Sequence, residues 1–106
     1  MPPIDINNLS YHVRADRKER LAQIKSVGIG FSIAEKEEIK NGRKVMKTLT
    51  STGIMVIRAV ENNMIITMYL ADFDQAEKFF RKQYGLKLPH DIGDKIKLNN
   101  IMFPAN

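Results

Sequence analysis

The segment from Gly53 to Ala71 constrains the fold of this chain most strongly, because it has the pattern of a β-hairpin. Two runs rich in β-branched and other apolar residues, 54–60 and 64–70, are separated by three polar residues. Asparagine tolerates the positive φ angles of a tight two-residue turn, so Asn62 and Asn63 are predicted to form that turn. The segment therefore predicts two adjacent antiparallel strands.

The two faces of this hairpin differ in chemistry. Side chains alternate between faces along a strand, and the predicted turn places Arg58 opposite Thr67 and Val56 opposite Tyr69. One face is then wholly apolar, with Met55, Ile57, Ala59, Ile66, Met68 and Leu70. The other face carries Val56, Arg58, Val60, Ile65, Thr67 and Tyr69. A sheet needs only one dry face, so binding or chemistry is expected on the second.

The neighbouring segments extend the hairpin into a meander. Alternating apolar residues over 29–33 predict a strand that runs into a charged segment, and Asn41-Gly42 predicts a type I′ turn. Residues 43–50 predict a further strand, which ends at a predicted two-residue turn, Thr52-Gly53. The sheet is therefore expected to contain three or four antiparallel strands.

Helical patterns flank the meander on both sides. An apolar stripe predicts a helix over about 17–27 that starts as early as Ser10, although residues 9–15 also alternate as in a strand. After the sheet, a helix is predicted between a cap at Asp72 or Asp74 and Gly85. We expect a single α+β domain over residues 1–106, with an N-terminal and a C-terminal helix packed on one face of the sheet.

The two ends of the chain are expected to be irregular. Prolines and asparagines interrupt residues 1–9, which are predicted to form an arm. Residues 86–106 contain Pro89, Gly93 and Pro104 and are predicted to form an irregular tail, with a short strand over 95–98.

Composition narrows the classes of function. The absence of cysteine excludes disulfides and thiol catalysis and fits a cytoplasmic location. Neither a membrane-length apolar run nor a secretory leader is apparent, so no membrane partner is expected. Two histidines are too few for a structural zinc site, and no complete nucleotide-binding motif is found, so no metal or cofactor is expected. The net charge of +5 favours phosphate polyanions as ligands.

A row of polar side chains is predicted across three strands. If Thr52-Gly53 is a two-residue turn, Lys47 lies opposite Arg58 and next in the row comes Thr67, with Tyr69 a diagonal step away. Adjacent like charges repel, a bound phosphate would relieve the repulsion, and the tyrosine could stack on a base. In the alternative, both cations reach solvent or pair with carboxylates of Glu35–Glu38.

A second candidate site lies near the first helix. Histidine side chains can transfer protons, so His12 is a candidate acid or base, and the cations around it could hold a phosphodiester: Arg14, Arg17, Lys18 and Arg20. The alternative is a histidine at the start of a helix within a solvated basic face.

These motifs together resemble a known superfamily. A helix that starts at His12-Val13, with Arg20 eight positions after the histidine, precedes a strand containing Ile65-Ile-Thr-Met-Tyr69. This arrangement, over roughly residues 10 to 71, resembles the small ribonucleases that include barnase, colicin nucleases and RelE-type toxins, especially their phage- and plasmid-borne relatives of unassigned function. The resemblance implies RNA cleavage by general acid–base catalysis, with His12, Arg58 and Tyr69 as catalytic residues.

Three functions are compatible with the sequence. The first is a small phage- or mobile-element-type accessory protein that binds nucleic acid, preferably RNA, or a host protein without catalysis. Its binding residues would be Arg14, Arg17, Arg20, Lys47, Arg58, Thr67 and Tyr69. The second is a RelE-like endoribonuclease toxin. The third is a homo-oligomeric interaction protein, whose interface would contain Val56, Val60, Ile65 and Tyr69.

Overall fold

The computed structural model describes residues 3–16 and 18–104. Within these residues the chain forms, in order, α1 (Tyr11–Asp16), α2 (Lys18–Val27), β1 (Ser32–Lys40), β2 (Arg43–Thr50), β3 (Ile54–Ala59), β4 (Ile65–Leu70), α3 (Phe73–Tyr84) and α4 (His90–Met102). The strands form one antiparallel sheet in the order β1-β2-β3-β4. The predicted α+β class and the antiparallel meander packed against helices are confirmed.

The helices divide between the two faces of the sheet, where the sequence led us to expect both on one face. Val13 of α1 and Ile24 of α2 pack on Ile54 and Val56, on what we call the N-terminal face. On the opposite, C-terminal face, α3 and α4 pack on a second apolar cluster: Ala34, Leu49, Met55, Ala71, Ala76, Phe79, Leu88 and Ile96. All six residues of β3 are buried, and a strand that is apolar on both faces needs cover on both.

The turn between β3 and β4 is longer than predicted, and this shifts the register by one residue. The amide of Asn63 donates to the Ala59 carbonyl at 2.9 Å, and the Ala59 amide donates to the Met64 carbonyl at 2.9 Å. Only Asn63 of the asparagine pair takes a positive φ, at 61°. Thr67 therefore lies opposite Ile57, and Arg58 lies opposite Ile65 beside a bulge. A slip of one residue exchanges the faces of β4 relative to β3.

The turn between β2 and β3 also contains one residue more than predicted. Three residues, 51–53, separate the strands; the Gly53 amide donates to the Thr50 carbonyl at 3.0 Å, and Gly53 takes φ 86°. Lys47 consequently lies opposite Ile57 instead of Arg58. The predicted Asn41-Gly42 turn has positive φ at both residues, 54° and 76°, as a type I′ turn requires.

The ambiguous segment 9–15 is helical from Tyr11. Before the helix, Leu9 forms a parallel bridge with Ile65, at the edge of the sheet beside β4. The Ser10 amide donates to the Ile65 carbonyl at 2.9 Å, and its hydroxyl donates to the Ile66 carbonyl at 3.4 Å. The start of α1 is therefore fixed to the sheet.

Helix α3 has the ends that its sequence predicts. The Asp72 carboxylate accepts from the Asp74 amide at 2.9 Å, and Gly85 closes the helix in the left-handed conformation at φ 69°. Both devices satisfy backbone groups that a helix leaves unpaired at its ends.

The region predicted as an irregular tail contains helix α4, so this expectation was wrong. Pro89 precedes the first turn, and Gly93 is buried where an added Cβ would lie 3.2 Å from the ring of Phe73. The side chain of Asn99 donates to the Thr52 carbonyl at 2.8 Å, and that of Asn100 donates to the Ala71 carbonyl at 3.0 Å. Residues with weak helix propensity are thus held in a helix by tertiary contacts.

Candidate nucleic-acid interface

Helices α1 and α2 are anchored by one side and leave the other side to solvent. Val13 and Ile24 are buried against the N-terminal face, with Leu21 and Val27 partly buried beside them. In α2 the exposed positions include Lys18, Ala22 and Lys25, at the i, i+4, i+7 spacing of one helix face.

We call the solvent-facing side of this helix pair the basic surface: Tyr11, His12, Arg14, Lys18 and Lys25, all of them exposed. Arg20, also predicted to bind nucleic acid, is half-buried in α2. Arg17, another predicted binding residue, lies outside the described residues.

The segment that carries the basic surface has a larger excess of positive charge than residues 72–102, which hold six basic and five acidic residues. Of the described carboxylates, none lies within 4 Å of the charged groups of Arg14, Lys18 or Lys25. Residues 11–27 contain five basic residues (Arg14, Arg17, Lys18, Arg20, Lys25) but only two acidic ones (Asp16, Glu19). This segment therefore holds a net charge of +3 out of the +5 of the chain.

Some cations elsewhere have acidic partners, although the exposed Lys78 and Lys82 of α3 have none among the described residues. In the sheet, Arg43 contacts Glu61 at 2.6 Å and Lys44 contacts Glu37 at 3.9 Å. In α3, Arg81 contacts Glu77 at 2.8 Å, one helical turn away. Such pairs lower the attraction of these regions for an added anion.

Arg58, predicted as both a catalytic and a binding residue, is buried in the sheet with 1% of its side chain exposed. Its Nη2 donates to Glu35 Oε2 at 2.8 Å and to Thr48 Oγ1 at 3.1 Å, and its Nη1 donates to Asn63 Oδ1 at 2.9 Å. The Thr48 hydroxyl also donates to the Glu35 carboxylate, at 2.8 Å. The guanidinium thus joins β1, β2, β3 and the β3–β4 turn.

The electrostatics of Arg58 fit a structural role. Burial lowers the pKa of its guanidinium, and the charge and hydrogen bond of Glu35 oppose that shift. Arginine stays protonated in proteins at neutral pH, so this side chain is a fixed cation matched to a carboxylate. The alternative stated for the polar row, pairing with the Glu35–Glu38 segment, is the one that Arg58 adopts.

The predicted row of Lys47, Arg58 and Thr67 does not form, because each of the two turns has one residue more than predicted. Lys47 and Thr67 share a row through Ile57 on the C-terminal face, whereas Arg58 points to the N-terminal face. Lys47 Nζ lies 5.5 Å from the centre of the Phe79 ring, a cation–π contact. Tyr69, on the same face, accepts a hydrogen bond from Gln75 Nε2 at 3.0 Å.

The three residues predicted to be catalytic do not share a cleft. His12 is exposed on α1, Arg58 is buried beneath the N-terminal face, and Tyr69 lies on the C-terminal face. Of the four residues predicted to form an oligomer interface, Val56 and Ile65 are fully buried within the chain, whereas Val60 and Tyr69 are partly exposed.

Tyr11 was missed as a functional candidate, although its signal was present in the sequence. It is 74% exposed, next to His12 and three residues before Arg14. An aromatic residue that starts a basic helix could have been noticed beside those cations. Its exposure could not, because the local pattern fits a strand equally well.

No protein-family model, curated protein or solved structure matches this chain. Among the described residues, no group of three or more histidine, cysteine, aspartate or glutamate side chains is placed to hold a metal ion. None of the helices over 3–16 and 18–104 has the length and apolarity needed to cross a bilayer.

Proposed function

We propose that this protein binds nucleic acid, preferably RNA, through the basic surface and does so without catalysis. The observation that carries the proposal is that Arg14, Lys18 and Lys25 are exposed, have no carboxylate partner among the described residues, and belong to a segment with a net charge of +3. Phosphates are the abundant ligands that neutralise such cations, with release of condensed counterions.

The spacing of the lysines suits a phosphate backbone. Lys18 and Lys25 are seven residues apart on one face of α2, which corresponds to about 10 Å along the helix axis. Two ammonium groups on one helix face, separated in this way, can contact different phosphates of the same strand.

The same surface is expected to be fixed in shape before a ligand arrives. Val13 and Ile24 bury the inner side of both helices, and Ser10 bonds the start of α1 to β4. Less conformational entropy is then lost on binding, which favours affinity.

The experiment is a binding titration of a fluorescein-labelled 20-nucleotide RNA, followed by anisotropy at two salt concentrations. Three phosphate contacts predict a slope of about −2 for log affinity against log salt on a single strand, so raising salt from ~50 to ~200 mM should weaken binding about 15-fold. Absence of binding at the lower salt, or affinity that ignores salt, would overturn the proposal.

Two triple variants localise the site. The N-terminal charge variant combines Arg14→Gln, Lys18→Gln and Lys25→Gln. The C-terminal charge variant combines Lys78→Gln, Lys82→Gln and Lys87→Gln, which are exposed residues that lose the same total charge. Binding should fail in the first and persist in the second, because the proposal assigns the contact to one surface and not to overall charge.

The alternative of an endoribonuclease is tested in the same samples. It is favoured by one observation, namely that His12 is exposed on the same short helix as Arg14. The bound RNA is run on a denaturing gel after incubation with the native protein and with His12→Ala. Intact RNA in both supports the binding function, whereas cleavage that disappears with His12→Ala would replace it with catalysis.

A further inference from the structure

We propose that Tyr11 stacks on an unpaired base, so that the ligand of the basic surface is a single strand and not a duplex. This inference rests on the proposed function and assigns the class of nucleic acid that the same surface takes. It rests on one observation: the exposed ring of Tyr11 lies on the same face of α1 as Arg14, a cation without a carboxylate partner among the described residues.

The ring of Tyr11 is accessible to a ligand. Tyr11 is 74% exposed, and it is the large apolar side chain that the basic surface presents to solvent. The other exposed tyrosine, Tyr84, has a partner, since its ring centre lies 5.0 Å from that of Phe80. No aromatic ring among the described residues is paired with Tyr11.

The backbone at Tyr11 is held in a fixed position. On one side, Ser10 is hydrogen-bonded to β4, and on the other, Val13 is buried and its amide donates to the Ser10 hydroxyl at 3.4 Å. The Arg14 amide donates to the Ser10 carbonyl at 3.1 Å. Tyrosine itself has few rotatable bonds, so a ring on this backbone provides contact area at a low entropic cost.

A positive charge, that of Arg14, lies beside the Tyr11 ring. Arg14 lies three residues after Tyr11 and so occupies the same side of α1, and its guanidinium has no carboxylate partner among the described residues. A ring that accepts a base next to a cation that accepts its phosphate is the combination found where proteins hold single strands.

A duplex cannot use this combination. Its base faces are stacked inside the helix, and the major groove of duplex RNA is too deep and narrow for side chains to read. A duplex would therefore meet the cations of the basic surface while Tyr11 contributed little.

The test compares Tyr11→Ala and Tyr11→Phe with the native protein, using labelled single-stranded RNA, single-stranded DNA and duplex RNA. Loss of a base stack should weaken single-strand binding about 5- to 150-fold in Tyr11→Ala, and Tyr11→Phe should remain within about twofold. Duplex binding should be nearly the same in all three proteins. A preference between the two single strands identifies the sugar that the site accepts. The matched control is Tyr84→Ala, which removes an exposed tyrosine outside the basic surface and should leave binding unchanged.

Intrinsic fluorescence gives a second readout, because the chain contains three tyrosines and no tryptophan. Single-stranded RNA should quench part of the tyrosine emission of the native protein, and Tyr11→Ala should lose that quenching. If Tyr11→Ala binds single strands as the native protein does, while the N-terminal charge variant does not bind, the stacking inference fails and the proposed function stands. If neither the native protein nor any variant binds RNA, the proposed function itself fails.

Discussion

The two helix pairs cover opposite faces of the same sheet, yet their solvent sides are built differently. Residues 72–102 contain six basic and five acidic residues, whereas residues 11–27 contain five and two. In the C-terminal pair, Arg81 is paired with Glu77 and Lys97 Nζ lies 4.4 Å from the centre of the Phe73 ring. In the described part of the chain both pairs also have exposed cations with no carboxylate within 4 Å, such as Lys18 and Lys78, so the difference lies in the net charge, +3 over 11–27 against +1 over 72–102.

A positive net charge on a small protein is therefore not by itself evidence of a binding site. Cations that have acidic or aromatic partners help to hold the fold, and their fields are partly cancelled nearby. Unpaired cations on an anchored helix pair are available to an added anion. Because residues 11–27 hold the larger excess of positive charge, we propose that α1 and α2 bind nucleic acid and that α3 and α4 have a structural role.

The largest expected effect is that of substituting Arg58. If Arg58 bound ligand, binding would not be confined to α1 and α2. Removing one partner of a buried ion pair leaves the charge of the other partner incompletely compensated. Arg58→Ala should therefore lower the free energy of unfolding by about 3 kcal/mol. This is the low end of the usual range, because the Glu35 side chain is 30% exposed. Urea denaturation measures this. Unchanged stability together with lost RNA affinity would place Arg58 in the binding site.

The next effect sharpens the assignment of binding to one helix pair. The N-terminal charge variant should lose RNA binding at ~50 mM salt, since each lost phosphate contact removes a comparable share of the electrostatic affinity. The C-terminal charge variant is the control and should keep the native affinity. Equal reductions of affinity in both variants would mean that overall charge, and not the basic surface, governs binding.

A smaller effect tests the structural role of the C-terminal pair. Asp72→Ala removes the cap that accepts the Asp74 amide, and it should lower the free energy of unfolding by about 1 kcal/mol. RNA affinity measured under native conditions should not change. A loss of affinity in this variant, at a temperature where it is fully folded, would connect α3 to the binding site.

The smallest effect is expected for a surface ion pair. Arg81→Gln breaks the ion pair between Arg81 and Glu77. Neither side chain of the pair is buried, so the free energy of unfolding should change by no more than about 0.5 kcal/mol. RNA binding should also be unaffected, because this cation is outside the basic surface. A measurable drop in affinity would show that paired cations also contribute to binding.

Much of the fold could be predicted where local chemistry decides it. The Asn41-Gly42 turn and both ends of α3 follow from residues whose backbone or side-chain preferences act within a few positions. The class of fold followed from the alternation of strand and helix patterns. These features depend on neighbours in sequence, which a single chain reveals.

The site was predicted less well, because it depends on turn lengths and tertiary contacts. One additional residue in the turn that contains Gly53 placed Lys47 and Arg58 on opposite faces, and another in the turn that ends at Asn63 moved Thr67 away from Arg58. Helix α4 depends on the distant carbonyls of Thr52 and Ala71, which no local pattern reveals. The basic character of residues 11–27 was visible in the sequence, but the exposure and pairing of each cation were not.

Mapping where RNA contacts the protein shows whether the basic surface is the binding site. Uniformly ¹⁵N-labelled protein is titrated with a ten-nucleotide single-stranded RNA, and the amide shifts are followed by heteronuclear NMR. We expect the largest shift changes over residues 10–27, with small changes over α3 and α4. Changes concentrated on α3 and α4, with residues 10–27 unaffected, would contradict the account.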